Sequence, residues 1–185
     1  LRQYSKEAPI ELILPSLYSE LEGAALKNIV SCLSNVKYLN HITIGLDKAD
    51  KSEFIKAKNF FSDLNQSHSV IWNDSPKMKK LDSDFKKLGI APNQAGKGKN
   101  VWYCMGYTYS RNEAGSVALH DCDITTYNRE LLARLVYPVS NPHFNYEFCK
   151  GYYPRIREGA LSGRVTRLLV TCLLYTSDAA DESTG

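Results

Sequence analysis

Ile10-Glu11-Leu12-Ile13-Leu14, followed by Pro15-Ser16-Leu17, is the stretch on which the fold turns. A short run rich in apolar and branched residues favours a strand, and Pro15 is expected to halt it. Leu21, Ala24, Ala25, Ile29 and Leu33 then recur at helical spacing. The unit is strand, turn, helix, and it repeats at once. His41-Ile42-Thr43-Ile44-Gly45-Leu46 reads as a second strand ending at Asp47, with Phe54, Ala57, Phe61 and Leu64 on one face of the helix that follows.

The rhythm continues outward from there. Ser69 to Trp72 is expected to be a third strand, Lys77 to Leu88 a lysine-rich helix, and Pro92 to Gly98 a loop. Val101, Trp102, Met105 and Tyr109 then mark the apolar stripe of another helix. Ser116 to His120 is read as a fourth, buried strand. Asn128 can cap a helix bearing Leu131, Leu132, Leu135 and Val136, which Pro138 is expected to terminate. Phe144 to Tyr153 reads as a further strand or hairpin arm. Strands alternating with helices predict an α/β fold, a mostly parallel sheet covered on both faces.

Composition narrows the function. The chain has 185 residues, of which 43% are apolar, with 23 basic against 20 acidic side chains, the profile of a globular domain. Its Lys and Arg are scattered among acids, which argues against nucleic acid as a partner. No apolar run approaches the ~18 residues needed to cross a bilayer, so no membrane association and a cytoplasmic location are expected. Cys32, Cys104, Cys122, Cys149 and Cys172 show neither C-x-x-C nor zinc spacing and read as reduced structural thiols.

Residues 173–185, Leu-Leu-Tyr-Thr-Ser-Asp-Ala-Ala-Asp-Glu-Ser-Thr-Gly, do not belong with the rest. They resemble translated adaptor sequence of the kind found at broken gene ends and are set apart from the domain at 1–172. A disordered acidic tail is the other reading. Leaving them out removes Asp178, Asp181 and Glu182 and no base, which raises the net charge from +3 to +6. On the first reading the gene continued, and part of the site lies downstream.

In such sheets ligands sit beyond the carboxyl ends of the strands, so residues just after each strand are the informative ones. Asp121-Cys122-Asp123 follows the fourth strand. In extended chain both carboxylates would face one way, and two hard oxygens suit Mg²⁺ or Mn²⁺ on a diphosphate; a turn-capping role is the alternative. Gly96-Lys97-Gly98-Lys99-Asn100 opens a helix, where backbone N–H groups and a lysine can meet phosphate; a solvated basic loop is the alternative. Its spacing is not that of a Walker loop. Leu14 to Glu20 could present an aromatic face to a base or simply connect strand to helix. Gly163-Arg164-Val165-Thr166 could hold an anion near a helix start or form an exposed terminus. His120 abuts the aspartates and could orient one of them or pack. No G-x-S-x-G, H-E-x-x-H or G-x-G-x-x-G sequence directs the reading elsewhere.

The ordered set Leu-Pro-Ser-Leu-x-x-Glu, Gly45-Leu46-Asp47, Gly96-Lys97-Gly98 with Trp102, Asp-x-Asp and Gly163-Arg164-Val165-Thr166 resembles the glucosyl-3-phosphoglycerate synthases, which are retaining GT-A glycosyltransferases. The resemblance spans Ile10 to about Thr171. It implies a Rossmann-like, GT-A nucleotide-sugar-binding fold, incomplete at the C-terminus. It also implies UDP-glucose as donor, 3-phosphoglycerate as acceptor, Mg²⁺ or Mn²⁺ as cofactor, and a possible homodimer when full length. Carried over by position, it gives Pro15, Ser16, Leu17, Glu20, Asp47, Lys97, Asp121 and Cys122 to the donor, Asp123 and Asp121 to the metal, and Gly163, Arg164 and Thr166 to the acceptor. The family's Asn-Glu after Leu is here Tyr18-Ser19, and its serine-rich stretch after Asp47 is Lys48-Ala49-Asp50. The family's further histidine ligand and the carboxylate near the reacting carbon would lie downstream, so the catalytic residues are unknown and this chain is expected to turn over little. A synthase using glycerate or another sugar nucleotide, and a non-catalytic nucleotide-binding module, are the rival readings.

Overall fold

The computed structural model describes residues 1–151 together with the short strands at 155–157 and 160–162. Leu1–Cys149 forms one compact unit. After a single helical turn α1 (Tyr4–Glu7), its elements are β1 (Ile10–Leu17), α2 (Ala24–Ser34), β2 (Leu39–Asp47), α3 (Lys51–Phe61) and β3 (Ser67–Trp72). α4 (Pro76–Lys87), α5 (Lys97–Arg111), β4 (Ser116–Leu119) and α6 (Arg129–Ser140) complete it. The second unit, Lys150–Gly185, contains the antiparallel pair β5 (Arg155–Arg157) and β6 (Ala160–Ser162). The predicted strand over Phe144–Tyr153 does not form at 144–151, which is turn and irregular chain; Tyr152 and Tyr153 lie outside the described residues.

β1 to β4 form one sheet in the order β3-β2-β1-β4, with every pair parallel. The chain first moves one way, β1 to β2 to β3, and then crosses back to place β4 on the far side of β1. That reversal makes a switch point between β1 and β4 at the carboxyl ends of the strands, the crevice where α/β sheets bind ligands.

Side-chain alternation assigns the two faces. Leu12, Leu14, Ile42, Ile44 and Leu46 are fully buried with Leu26, Ile29, Leu33, Ala57, Phe61 and Leu132, so α2, α3 and α6 cover that face. α3 starts where the sequence provides for it, with Asp50 accepting from Glu53 N at 2.8 Å and Glu53 accepting from Asp50 N at 2.8 Å, a reciprocal capping box.

α5 lies on the opposite face, and here the expected stripe is wrong. Val101, Trp102, Met105 and Tyr109 point largely to solvent, with Tyr109 85% exposed. The buried positions are instead Asn100, Tyr103, Cys104 and Thr108. The reason is the sheet beneath, which offers polar partners: Asn100 Nδ2 donates to the Gly45 carbonyl at 2.8 Å, and the Thr43 and Thr108 hydroxyls meet at 3.4 Å. A Cβ at Gly45 would overlap Asn100 Oδ1 and Cys104 Sγ. Gly45→Ala is therefore expected to lift the start of α5 from β2 and cost about 1–3 kcal/mol of stability, read from urea denaturation.

Two proline expectations also fail. β1 runs on through Pro15, which pairs in register with Gly45. The Ile13 carbonyl accepts from His120 N at 3.1 Å, so Ile13, and Pro15 two residues on, turn their backbone polar groups toward β4. β4 has ended by then, and the N–H that Pro15 lacks has no partner to lose. Pro138 lies inside α6, whose last turn is completed by Asn141 N donating to the Tyr137 carbonyl at 3.0 Å. β4 is not buried on both faces as expected. It is an edge strand of the described sheet, with Val117 and Leu119 39% and 40% exposed.

The α5 face also buries charge-bearing groups. His41 sits between the Ser67 and Ser69 hydroxyls, with Nδ1 at 2.9 Å and Nε2 at 3.1 Å. Burial, helped by the nearby Arg111, holds its imidazolium form down, to a pKa of about 4. The unfolded chain takes up this proton near pH 6.5 while the folded chain does not until about pH 4. Stability contributed by neutral His41 is thus fully present above pH 6.5 and is lost as pH falls through that window, at up to ~1.4 kcal/mol per pH unit. Unfolding midpoints of His41→Asn across that range should show a shallower acid slope than the parent.

Candidate functional site

The carboxyl ends of the strands bring together most of the predicted donor residues, in two layers. On the α5 face, Leu17 pairs with Asp47 across β1 and β2. Lys97, the first residue of α5, reaches Asp121, just beyond β4, in an ion pair. Two motifs separated by 24 residues in sequence, the glycine-lysine loop and D-x-D, therefore meet at one point. Gly96 precedes the helix at φ 125°, a conformation that glycine adopts without strain, and no side chain caps the first N–H groups of α5. Lys99, the other lysine of the loop, turns away. Its ammonium lies 2.5 Å from Asp82 of α4, which also accepts from Tyr103 Oη at 2.7 Å. The bond from Lys99, with those from Tyr103 and Lys86, holds the Asp82 carboxyl well below the usual carboxylate range.

Behind this layer stand Ser16, Glu20 and Cys122. Ser16 is 2% exposed, with its hydroxyl 3.1 Å from Glu20 Oε2. The same Glu20 oxygen accepts from Leu17 N at 2.9 Å. Glu20 is thereby committed to closing the 3-10 turn Tyr18–Glu22, a turn that replaces the predicted start of α2. Cys122 is 2% exposed and packs in the core, so only its backbone can face a ligand. Burial pushes its thiol up, and the charges of Glu20, Lys97 and Asp121 all act on it. The Ser16 and Cys122 side chains are buried and the half-buried Glu20 is bonded to its own turn, so all three stand behind the Lys97–Asp121 layer.

The extended geometry expected for D-x-D is also corrected. β4 stops at Leu119, and Cys122-Asp123 lie in a turn that leaves Asp123 exposed. His120 is 3% exposed, packs edge-on against Tyr127 with ring centroids 5.3 Å apart, and has no hydrogen-bond partner on either nitrogen. It packs and does not orient an aspartate. Burial keeps it neutral, at a pKa of about 4. Gly163, Arg164 and Thr166 lie outside the described residues.

Asp47 is the most constrained acid of the crevice. Its Oδ1 accepts from Asn73 Nδ2 at 2.7 Å. Burial pushes its carboxyl up, while bonds from Asn73 and Asn100 pull it back. Asn73 was not singled out from the sequence, and Asn100 was named only as the last residue of the glycine-lysine motif. Asn100, Cys104 and Thr108 fall at i, i+4 and i+8, a stripe visible only to a search that admits polar residues on a buried face.

No family model matches the sequence. Two curated relatives do. The glucosyl-3-phosphoglycerate synthase of Persephonella marina is 44% identical over 174 residues, 94% of this chain and 43% of the relative. That of Methanococcoides burtonii is 39% identical over 171 residues, 91% of this chain and 42% of the relative. The chain belongs to the glucosyl-3-phosphoglycerate synthase family. It spans about two fifths of the length of these synthases. The fold agrees: a crystal structure of the Mycobacterium tuberculosis glucosyl-3-phosphoglycerate synthase in complex with UDP aligns with a TM-score of 0.53 at 18% identity, covering 95% of this chain and 52% of that one. The GT-A architecture expected for a synthase of this family is the one found, and no described helix is long and apolar enough to cross a membrane.

Proposed function

We propose that this chain is the donor-binding part of a retaining glucosyltransferase that moves glucose from UDP-glucose to 3-phosphoglycerate, giving glucosyl-3-phosphoglycerate. The observation that carries the reading is the meeting of Lys97 with Asp121 at the switch point, at the same end of the sheet as Leu17 and Asp47. The names of the curated synthases and the UDP held by the solved one support the choice of substrates.

The donor set fits a divalent cation of the Mg²⁺ or Mn²⁺ type. Asp121 and Asp123 supply hard oxygens, and among the described residues no group of three or more His, Cys, Asp or Glu forms an all-protein cage. Mg²⁺ is commonly held in this way, by one or two carboxylates with water and substrate phosphate filling the other positions. When bound, the cation would neutralise charge building on the diphosphate as the bond to glucose C1 breaks.

The chain's own residues do the remaining work. Lys97 exchanges Asp121 for a phosphate oxygen, and the exchange is cheap because so exposed an ion pair contributes only about 0–1 kcal/mol. Asp47 faces the nucleoside, and Leu17 and Pro15 form the wall beside it. Arg164 and Thr166, with Gly163, hold the phosphate and carboxylate of the acceptor so that its hydroxyl attacks from the face the leaving group departs. Arg164→Ala should weaken 3-phosphoglycerate more than unphosphorylated glycerate. A homodimer and a cytoplasmic location complete the reading; the free thiols at Cys32, Cys104, Cys122 and Cys149 agree with a reducing compartment.

Calorimetric titration of the chain with UDP, in Mg²⁺ and then in excess chelator, tests the proposal. Saturable binding that weakens at least about tenfold on chelation is expected. Equal affinity in both buffers, or no binding at millimolar UDP, would overturn it.

A further inference from the structure

Trp72, Asn73 and Asp74, at the end of β3, each grip Asp47 at the end of β2 or the loop that leaves it. Trp72 Nε1 donates to the Ala49 carbonyl at 2.7 Å, Asn73 Nδ2 donates to Asp47 Oδ1 at 2.7 Å, and Asp74 Oδ2 accepts from Ala49 N at 3.1 Å. The residue between the gripped positions, Lys48, is held at φ 55°, left-handed backbone that a lysine adopts only when its surroundings require it. The backbone of Asn73 joins in, its N–H donating to the Leu46 carbonyl at 3.0 Å. Phe54 stacks on Trp72 with centroids 5.1 Å apart and planes 12° from parallel, fixing the indole from the α3 side.

The Asn73 amide is placed in a revealing way. Its Oδ1 is buried with no hydrogen-bond partner. Burying an unsatisfied amide oxygen is unfavourable, so a side chain serving packing alone would gain by being apolar. Among the described residues, the one hydrogen bond its side chain makes goes to Asp47.

We propose that Asn73 is a positioning residue of the nucleotide site: it sets the direction in which Asp47 presents its carboxylate to the nucleoside, on a loop that Trp72 and Asp74 hold rigid. This rests on the nucleotide reading above. Asn73 itself need not touch the ligand; without it the carboxylate keeps only its bond from Asn100 and meets a donor hydroxyl or imide N–H less often.

A double-mutant cycle tests this on the intact chain, with UDP affinity measured in Mg²⁺ for the parent, Asn73→Ala, Asp47→Asn and the double variant. Asn73→Ala is expected to weaken UDP about tenfold, as for loss of a hydrogen bond to a charged group, and to cost nothing further once Asp47 is Asn. The pH profile supplies a readout that a packing role would not move. Asn73 opposes the upward push of burial on Asp47, alongside Asn100 and Lys48 and against Asp74. In Asn73→Ala the acid limb of UDP affinity should therefore shift to higher pH. Asn73→Asp preserves the volume and places a second carboxylate against Asp47, so it should bind UDP more weakly still; it serves if the alanine variant unfolds. Unchanged affinity in both variants, or an equal loss in the Asp47→Asn background, overturns the positioning role and leaves the nucleotide site standing. A parent chain that binds no UDP removes both.

Discussion

Alanine at Asp123 is expected to abolish the Mg²⁺-dependent part of UDP binding while leaving the unfolding midpoint where it was. The second half follows from the structure: Asp123 is exposed in a turn, and its side chain makes no hydrogen bond or ion pair among the described contacts. Surface changes of this kind move stability within about 0.5 kcal/mol. The first half follows from the chemistry. Asp123 has no countercharge among the described residues, and without it Asp121, released when Lys97 moves onto phosphate, is left as the one carboxylate, which holds a hydrated Mg²⁺ poorly. Affinity for UDP in Mg²⁺ should fall to the value the parent shows in chelator. Chelator should then change nothing in the variant. An Asp123→Ala protein that still responds to Mg²⁺ as the parent does would move the metal elsewhere.

The largest stability effect is expected away from the site, at Arg111. Glu11 is wholly buried on β1, and its nearest countercharge is Arg111 Nε at 3.6 Å, an ion pair too long to be a hydrogen bond. Burial already pushes the Glu11 carboxyl up, and Arg111 is the main group holding it down. Arg111→Ala strands that carboxylate, and removing one partner of a buried pair costs about 3–5 kcal/mol. The lower end applies here, because Arg111 is itself 22% exposed.

The sign of the pH effect follows. A carboxyl whose folded pKa lies above its unfolded value binds protons more tightly when folded, so its contribution to stability is present in acid and is lost as pH rises. The penalty in Arg111→Ala should be smaller near pH 4.5 than at pH 8, and Glu11→Gln in the same background should recover much of it. Chemical denaturation at the two pH values measures both; a penalty independent of pH would mean that Glu11 is neutral in the parent.

The parts of the fold that were legible are those where local chemistry and tertiary packing agree. β2 and α3 were placed from the run His41–Leu46 and the stripe Phe54, Ala57, Phe61, and the Asp50–Glu53 box fixes the helix start. Pro15 and Pro138 misled because a missing N–H matters only where a partner exists, and that depends on strand order and helix length. The face of α5 misled for the converse reason. Apolar spacing pointed to Trp102, Met105 and Tyr109, whereas Gly45 leaves a notch that fits Asn100 and Cys104, and no local rule links a glycine on one strand to a helix 55 residues on.

The site divides the same way. Lys97, Asp47 and Asp121 could be named because they open a helix, close a strand or stand shortly after one, and the fold places them at the same end of the sheet. The Ser16 and Cys122 side chains face inward and Glu20 closes a turn, which the motifs alone do not reveal, since these directions depend on strand register and on the turn that follows. Asn73 escaped because its role lies in a bond to a residue 26 positions away.

Paired acids beyond β4 are proposed to bring a divalent cation to the diphosphate of a sugar nucleotide. Crystals grown with UDP and Mn²⁺, measured at the manganese absorption edge, test it directly. One anomalous peak is expected beside Asp121 and Asp123, with Lys97 turned from Asp121 onto phosphate. Manganese bound elsewhere, with Lys97 and Asp121 still paired and Asp123 facing solvent, would contradict it.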